Sequence, residues 1–153
     1  MLSASTSRKT PGFTLVEVIA ALLVLAIVSA VVAVHVMTTD TDANNAAMLN
    51  RIKIHLGYVR NASMNSDMTW WIDFNPGSYT INRKDAQGNS VPTLIAGEKS
   101  PAITFPDGFS GPDTDVYFDG WGRPADSSGN PTGTRTLVFS GGTITINSTG
   151  YIE

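Results

Sequence analysis

Gly12-Phe13-Thr14-Leu15-Val16-Glu17 sets one carboxylate five residues past a glycine, at the head of a long apolar run. From Val18 to Val34 the only polar side chain is Ser29. Carried as a helix from Phe13 to Met37, the segment is about 37 Å long at about 1.5 Å per residue, enough to cross a bilayer. A carboxylate inside such a segment costs about 2.5–3.5 kcal/mol at the helix centre, and somewhat less near an end, so Glu17 asks for a partner. Further along the chain the next charged residue is Asp40. A cut between Gly12 and Phe13 would create the missing partner. The new α-amine would lie four residues from Glu17, where the carboxylate of a neighbouring copy can pair with it. Such a pair at 4 Å is worth about 4 kcal/mol at an effective dielectric of 20, before desolvation is subtracted.

Two plainer readings compete. As a secretory signal peptide, the basic start fits, but the run exceeds the usual apolar core and holds no A-x-A cleavage site. As a simple signal anchor, everything fits except Glu17.

These residues, preceded by Arg8-Lys9 and followed by the apolar helix, resemble the leader and first helix of type IV prepilins and type II secretion pseudopilins. The resemblance implies that a membrane peptidase and N-methyltransferase cuts after Gly12 and methylates the new N-terminal Phe13. It also implies that Glu17 guides the subunit into a filament of other pilins or pseudopilins, built on an inner-membrane assembly platform.

Composition agrees with one anchored module. Loss of residues 1–12 removes Arg8 and Lys9, leaving eight basic against thirteen acidic residues, a net charge of −5. That balance speaks against a general nucleic-acid binder. There is no cysteine, hence no disulfide and no thiol chemistry. Arg8 and Lys9 keep the short leader cytoplasmic by the positive-inside rule and send the rest outward.

The order expected along the chain is a leader over 1–12, a transmembrane and assembly helix over 13–37, a hinge and amphipathic helix over 38–66, and a β-rich periplasmic head over 67–153. Thr38 to Asn45 is polar, and reads equally as a hinge or as more of the same helix. Leu49, Ile52, Leu56 and Val59 then recur at three- and four-residue steps, an apolar stripe suited to lying on a sheet. Trp70 to Phe74 and Tyr79 to Asn82 flank Asn75-Pro76-Gly77-Ser78 as a hairpin. Further strands are expected at Thr93–Ala96, Ala102–Phe105 and Val116–Phe118, then Leu137–Ser140 and Thr143–Asn147 joined through Gly141-Gly142. No internal repeat is evident. The fold class is therefore α+β, a long N-terminal helix packed on a C-terminal antiparallel sheet.

Val116-Tyr117-Phe118-Asp119-Gly120-Trp121-Gly122-Arg123-Pro124 and Thr143 to Ile152 are similar to two endings seen in the GspH/FimT group of minor pseudopilins. That group's fold implies the same order of helix, then strands, and assigns no active-site residue to the head.

Other candidates are weaker. Asp107, Asp113, Asp115 and Asp119 crowd a Gly/Pro-rich stretch where calcium is conceivable, but no EF-hand spacing is present and solvated turn residues are the better reading. Trp70, Trp71, Trp121 and Tyr151 could form a carbohydrate or partner platform, but alternation puts one of Trp70 and Trp71 in the core and only the other outside, and core packing is the better reading. His35 and His55 have no partner at a recognisable spacing, so neither a triad nor a zinc site is supported. Gly120-x-Gly122 reads as a turn. The sequons at Asn61 and Asn147 carry no weight in a bacterial chain.

The expected function is a pseudopilin-like structural subunit of a type II secretion system or type IV pilus, with no catalysis and no cofactor. It would sit in the bacterial inner membrane with its head in the periplasm. The alternative is a FimT-type DNA-uptake or adhesin subunit.

Overall fold

The computed structural model describes residues 14–153, except for the side chains of 31–40. Gly12 and Phe13 lie outside the described residues, as does the side chain of His35. One helix, α1, covers Leu15–Met64, so Thr38 to Asn45 continues the helix rather than interrupting it. The chain divides into two units, one ending at Asp40 and the other spanning Thr41–Glu153.

In the second unit α1 presents Met48, Ile52, Leu56 and Val59 as a buried stripe, with Leu49 at its border. The helix ends by satisfying its own last carbonyls. Asn65 donates from its backbone and from Nδ2 to Asn61 O, and Ser66 Oγ donates to Ala62 O.

Five strands are ordered β3-β2-β1-β5-β6: β1 (Trp70–Asn75), β2 (Ser78–Lys84), β3 (Ser90–Pro92), β5 (Thr114–Phe118) and β6 (Pro124–Ala125). β4 (Ala102–Thr104) also pairs with β2, and β7 (Arg135–Phe139) with β8 (Gly142–Ile146) makes a separate two-stranded sheet. All pairings are antiparallel. Ile72, Phe74, Tyr79, Ile81, Val116 and Phe118 of the large sheet join Leu137, Phe139, Ile144 and Ile146 of the small one in a single core with the α1 stripe. The α+β expectation is met.

Two strand expectations need correction. Thr93–Ala96 is not a strand; the pairing falls earlier, at Ser90–Pro92, and only Thr93 N–H continues it by donating to Ile81 O. Pro124–Ala125 pairs with Tyr117 and Phe118 although no strand was expected there. A short apolar run does not reveal its pairing partner, and here neighbouring turns decide it.

Those turns repeat. Asp85, Asp119, Asp126 and Asn147 each head a five-residue reversal with glycine at the fourth place: Gly88, Gly122, Gly129 and Gly150, at φ 84, 76, 85 and 85°. In each, the leading side-chain oxygen accepts the N–H groups two and four residues on, over 2.8–3.0 Å. The glycine N–H donates to the leading carbonyl, and the first residue's N–H to the last one's carbonyl. Acceptor side chains at the start of a turn and a glycine at positive φ are both what such a reversal requires. The same D/N-x-x-G-x turn is thus used four times among the described residues, at irregular intervals along the chain.

Candidate functional site: the head of the apolar helix

Thr14 precedes the first helical residue and caps it. Its Oγ1 accepts the Glu17 N–H at 3.3 Å, and its carbonyl accepts from Glu17 and Val18 at 3.1 and 3.3 Å. Thr14-x-x-Glu17 has the spacing of a capping box, a local signal of the helix start. Glu17 is the acidic residue of the first turn, where the helix dipole favours negative charge by about 0.3–1 kcal/mol. A carboxylate costs about 2.5–3.5 kcal/mol at the centre of a span and less near an end, so at the first turn the dipole offsets part of that cost.

Behind Glu17 lie Val18, Ala21, Leu22 and Leu25, which with it line one groove along the helix. Ser29 satisfies its hydroxyl by donating to Leu25 O at 2.7 Å, so the polar atom does not interrupt the apolar surface. Leu15 and Val16 are about three-quarters exposed, and Leu22 to Leu25 about 60%. Among the described residues no helix is long and apolar enough to cross a membrane. The expected span continues through 31–37, whose side chains are outside the description.

The remaining candidates are scattered. Asp119 is buried and spent: Oδ1 accepts the Trp121 and Arg123 N–H groups, and Oδ2 accepts Arg123 Nε at 2.8 Å. Burial works to raise its carboxyl, but these hydrogen bonds together outweigh burial and hold it below the usual range. Asp115 stands opposite Asp73 on β1, and burial followed by the charges of Asp115 and Asp113 pushes the Asp73 carboxyl up. Among the described residues no group of three or more His, Asp or Glu side chains can hold a metal ion.

The histidine reading needs correction. His55 is not isolated: Nδ1 lies 2.7 Å from the Tyr79 hydroxyl and Nε2 lies 3.5 Å from Glu98 Oε1. Both Glu98 oxygens accept from the Arg51 guanidinium, Oε1 at 2.8 Å. The sequence separations of 24 and 47 residues explain why no local signal announced it. With Tyr79 fully buried, the cluster fixes the β3–β4 connection against α1 and has the character of structure rather than chemistry. Burial lowers the His55 pKa and raises that of Tyr79, while the Arg51 hydrogen bond lowers that of Glu98.

The aromatic reading is also corrected in part. Trp71 is buried against Tyr117, ring centroids 5.5 Å apart, and Trp70 packs against the core, but Trp121 and Tyr151 stand outside at 80% and 61% exposure. Their loops are locked at Gly122 and Gly150, where Arg60 Nε donates to Gly122 O at 2.9 Å. A Cβ on Gly150 would lie 1.7 Å from Gly122 O.

The helix thus carries a carboxylate in its first turn above an apolar face exposed over 15–28, and the head has a core of its own. Residues 7–33 match the prokaryotic N-terminal methylation motif, and the chain is type IV prepilin-like over that stretch. No curated protein and no solved structure matches the chain.

Proposed function

We propose that this chain is a minor pilin-like subunit of a type II secretion system or type IV pilus, of the GspH/FimT kind. The observation that carries the reading is the methylation motif at 7–33 continuing into an exposed apolar helix headed by Glu17. The chain enters the inner membrane with residues 13–37, is cut between Gly12 and Phe13, and is methylated on the new Phe13 amine. Glu17 of one copy then pairs with the α-amine of a neighbouring pilin, and the apolar helices cover one another as the subunit leaves the membrane. The periplasmic head gives the surface, and the subunit has no catalysis of its own. Mass spectrometry of the chain from cells that contain a prepilin peptidase tests this directly. The expected species begins with N-methylated Phe13, and an intact Met1 terminus overturns the proposal.

A further inference from the structure

Between β3 and β4 the chain runs over 93–101 with little to hold it down. Ile95 is its one buried apolar side chain, and Thr93 N–H donates to Ile81 O. Among the described residues the polar side-chain contacts from this connection to α1 all come from Glu98, and they converge on Arg51 and His55, one turn apart. A segment with so few buried contacts belongs to the low-stability end of a fold and can open before the rest.

Under Glu98 sits the imidazole. His55 is 6% exposed, with Nδ1 2.7 Å from the Tyr79 hydroxyl and Nε2 3.5 Å from Glu98 Oε1. An ionised carboxylate only accepts, which assigns the ring proton to Nε2 and leaves Nδ1 to accept the Tyr79 O–H. The neutral ring thus satisfies both neighbours. A second proton has to go on Nδ1, where it meets that hydroxyl. Tyr79 is fully buried and has no other hydrogen-bond partner, so its O–H would turn away unpaired, which is costly. The other charges facing the ring oppose one another: Glu98 from the connection favours an imidazolium, and Arg51 on α1 itself disfavours it. Burial exceeds both and holds the ring below its ordinary 6.5. Tyr79 closes the inner side of the ring, so water reaches an imidazolium from the Glu98 side.

We propose that His55 is a proton-operated latch: when it takes up a second ring proton, the 93–101 connection lifts off α1 while the sheets and the α1 stripe stay packed. Release of Glu98 frees the Arg51 guanidinium, which lines the grooves on both sides of the contact, of about 310 and 260 Å3. The acid form of the head therefore presents a different surface between α1 and β4. Above 6.5 the ring is neutral in the closed and the open form alike, and the latch is shut. As pH falls below 6.5 the open form takes the proton first, and opening rises by up to about tenfold per pH unit until the closed form's lower value is passed. The latch lies wholly in the head, so it stands or falls apart from the assembly reading.

Hydrogen–deuterium exchange of the full chain in detergent, corrected for the intrinsic pH dependence of amide exchange, tests this between about pH 7.5 and about pH 5. Opening of 93–101 should rise several-fold or more towards acid, while 70–82, in β1 and β2, keeps its protection. His55→Gln should remove the pH response of 93–101, and Glu98→Gln should leave that connection more open already at neutral pH. Near-ultraviolet circular dichroism confirms that the variants retain the head fold, and the comparison of segments within the wild-type chain decides the matter if either fails to fold. A 93–101 segment whose opening does not change with pH overturns the proposal, as does a rise shared equally by 70–82, or an unchanged pH response in folded His55→Gln.

Discussion

Two stretches of α1 meet water in opposite ways. Between Leu15 and Val28 the apolar side chains surround the helix, and large ones such as Leu15, Val16, Leu22 and Leu25 stay exposed. Between Met48 and Val59 the apolar residues keep to one stripe and are buried under the sheets. A stripe can be covered by elements of its own chain, whereas a helix that is apolar all round needs a surrounding medium or other helices. Failure should therefore separate too. Changes near the start of α1 should abolish processing or assembly and leave head stability alone, and changes in the head should do the reverse.

The largest effect is expected at the cut site. Gly12→Leu should leave the leader-bearing precursor uncleaved in cells that contain the peptidase, with the melting temperature of the head unchanged. Immunoblotting for the shorter mature form checks this, and normal cleavage would erase the distinction between the two regions at its first residue. Glu17→Ala should be cut normally and insert at least as well, yet enter filaments at least about tenfold less, because a pair worth about 4 kcal/mol before desolvation is lost. Sheared filament fractions give the ratio, and wild-type incorporation would show that the carboxylate only caps its helix.

Within the head, four turns of the same design allow an internal test. Gly150→Ala should cost about 4 kcal/mol or more, since the new Cβ would meet the Gly122 carbonyl oxygen at 1.7 Å on a backbone at φ +85°. Gly129→Ala has the same φ and open space around it, so only the left-handed strain of about 1–2 kcal/mol remains. Thermal melts of the two variants compare them, and equal losses would show that the Gly122–Gly150 contact does not hold the loops together.

Acid should loosen the head in two stages. The folded pKa of His55 lies below its ordinary 6.5 because of burial, so its contribution is complete above 6.5 and is lost as pH falls towards the folded value. That of Glu98 lies below its ordinary 4.5, chiefly through the Arg51 hydrogen bond, so a second loss begins below 4.5. His55→Gln should remove the upper stage from a plot of melting temperature against pH; a profile that keeps this stage would assign it to another group. The smallest change is expected at Asp73, which faces Asp115 across the β1–β5 pair. Asp73→Asn should stabilise the head by about 0.2–1 kcal/mol at neutral pH, and the gain should shrink as pH falls through the raised Asp73 value. A destabilised variant would show that the Asp73 carboxylate makes a contact stronger than this repulsion.

Much of the molecule was legible because its signals are local. Trp70 to Asn82 read as a hairpin from its Pro76-Gly77 turn, and pairs as Asn75 with Ser78 and Phe74 with Tyr79. Ile52, Leu56 and Val59 read as a stripe and are fully buried. The four D/N-x-x-G-x turns are equally local, but at Asp119 and Asn147 the residues also fit a calcium-ligand cluster and a sequon, which share the same residue types. Their shared geometry appears only when side-chain acceptors and glycine dihedrals are compared. Thr14-x-x-Glu17 is likewise local, and its capping role shows in the Thr14 Oγ1 contact to the Glu17 N–H.

The sequence by itself determined the methylation motif, the helix start and the alternation of strands and turns, because each rests on residues within a few positions of one another. Only the tertiary structure decided that His55 meets Tyr79 and Glu98, that Arg60 ties Gly122 to the 149–150 loop, and that Trp121 faces outward. Those depend on packing between segments tens of residues apart, and the free energy that selects them comes from the whole core rather than from any local pattern.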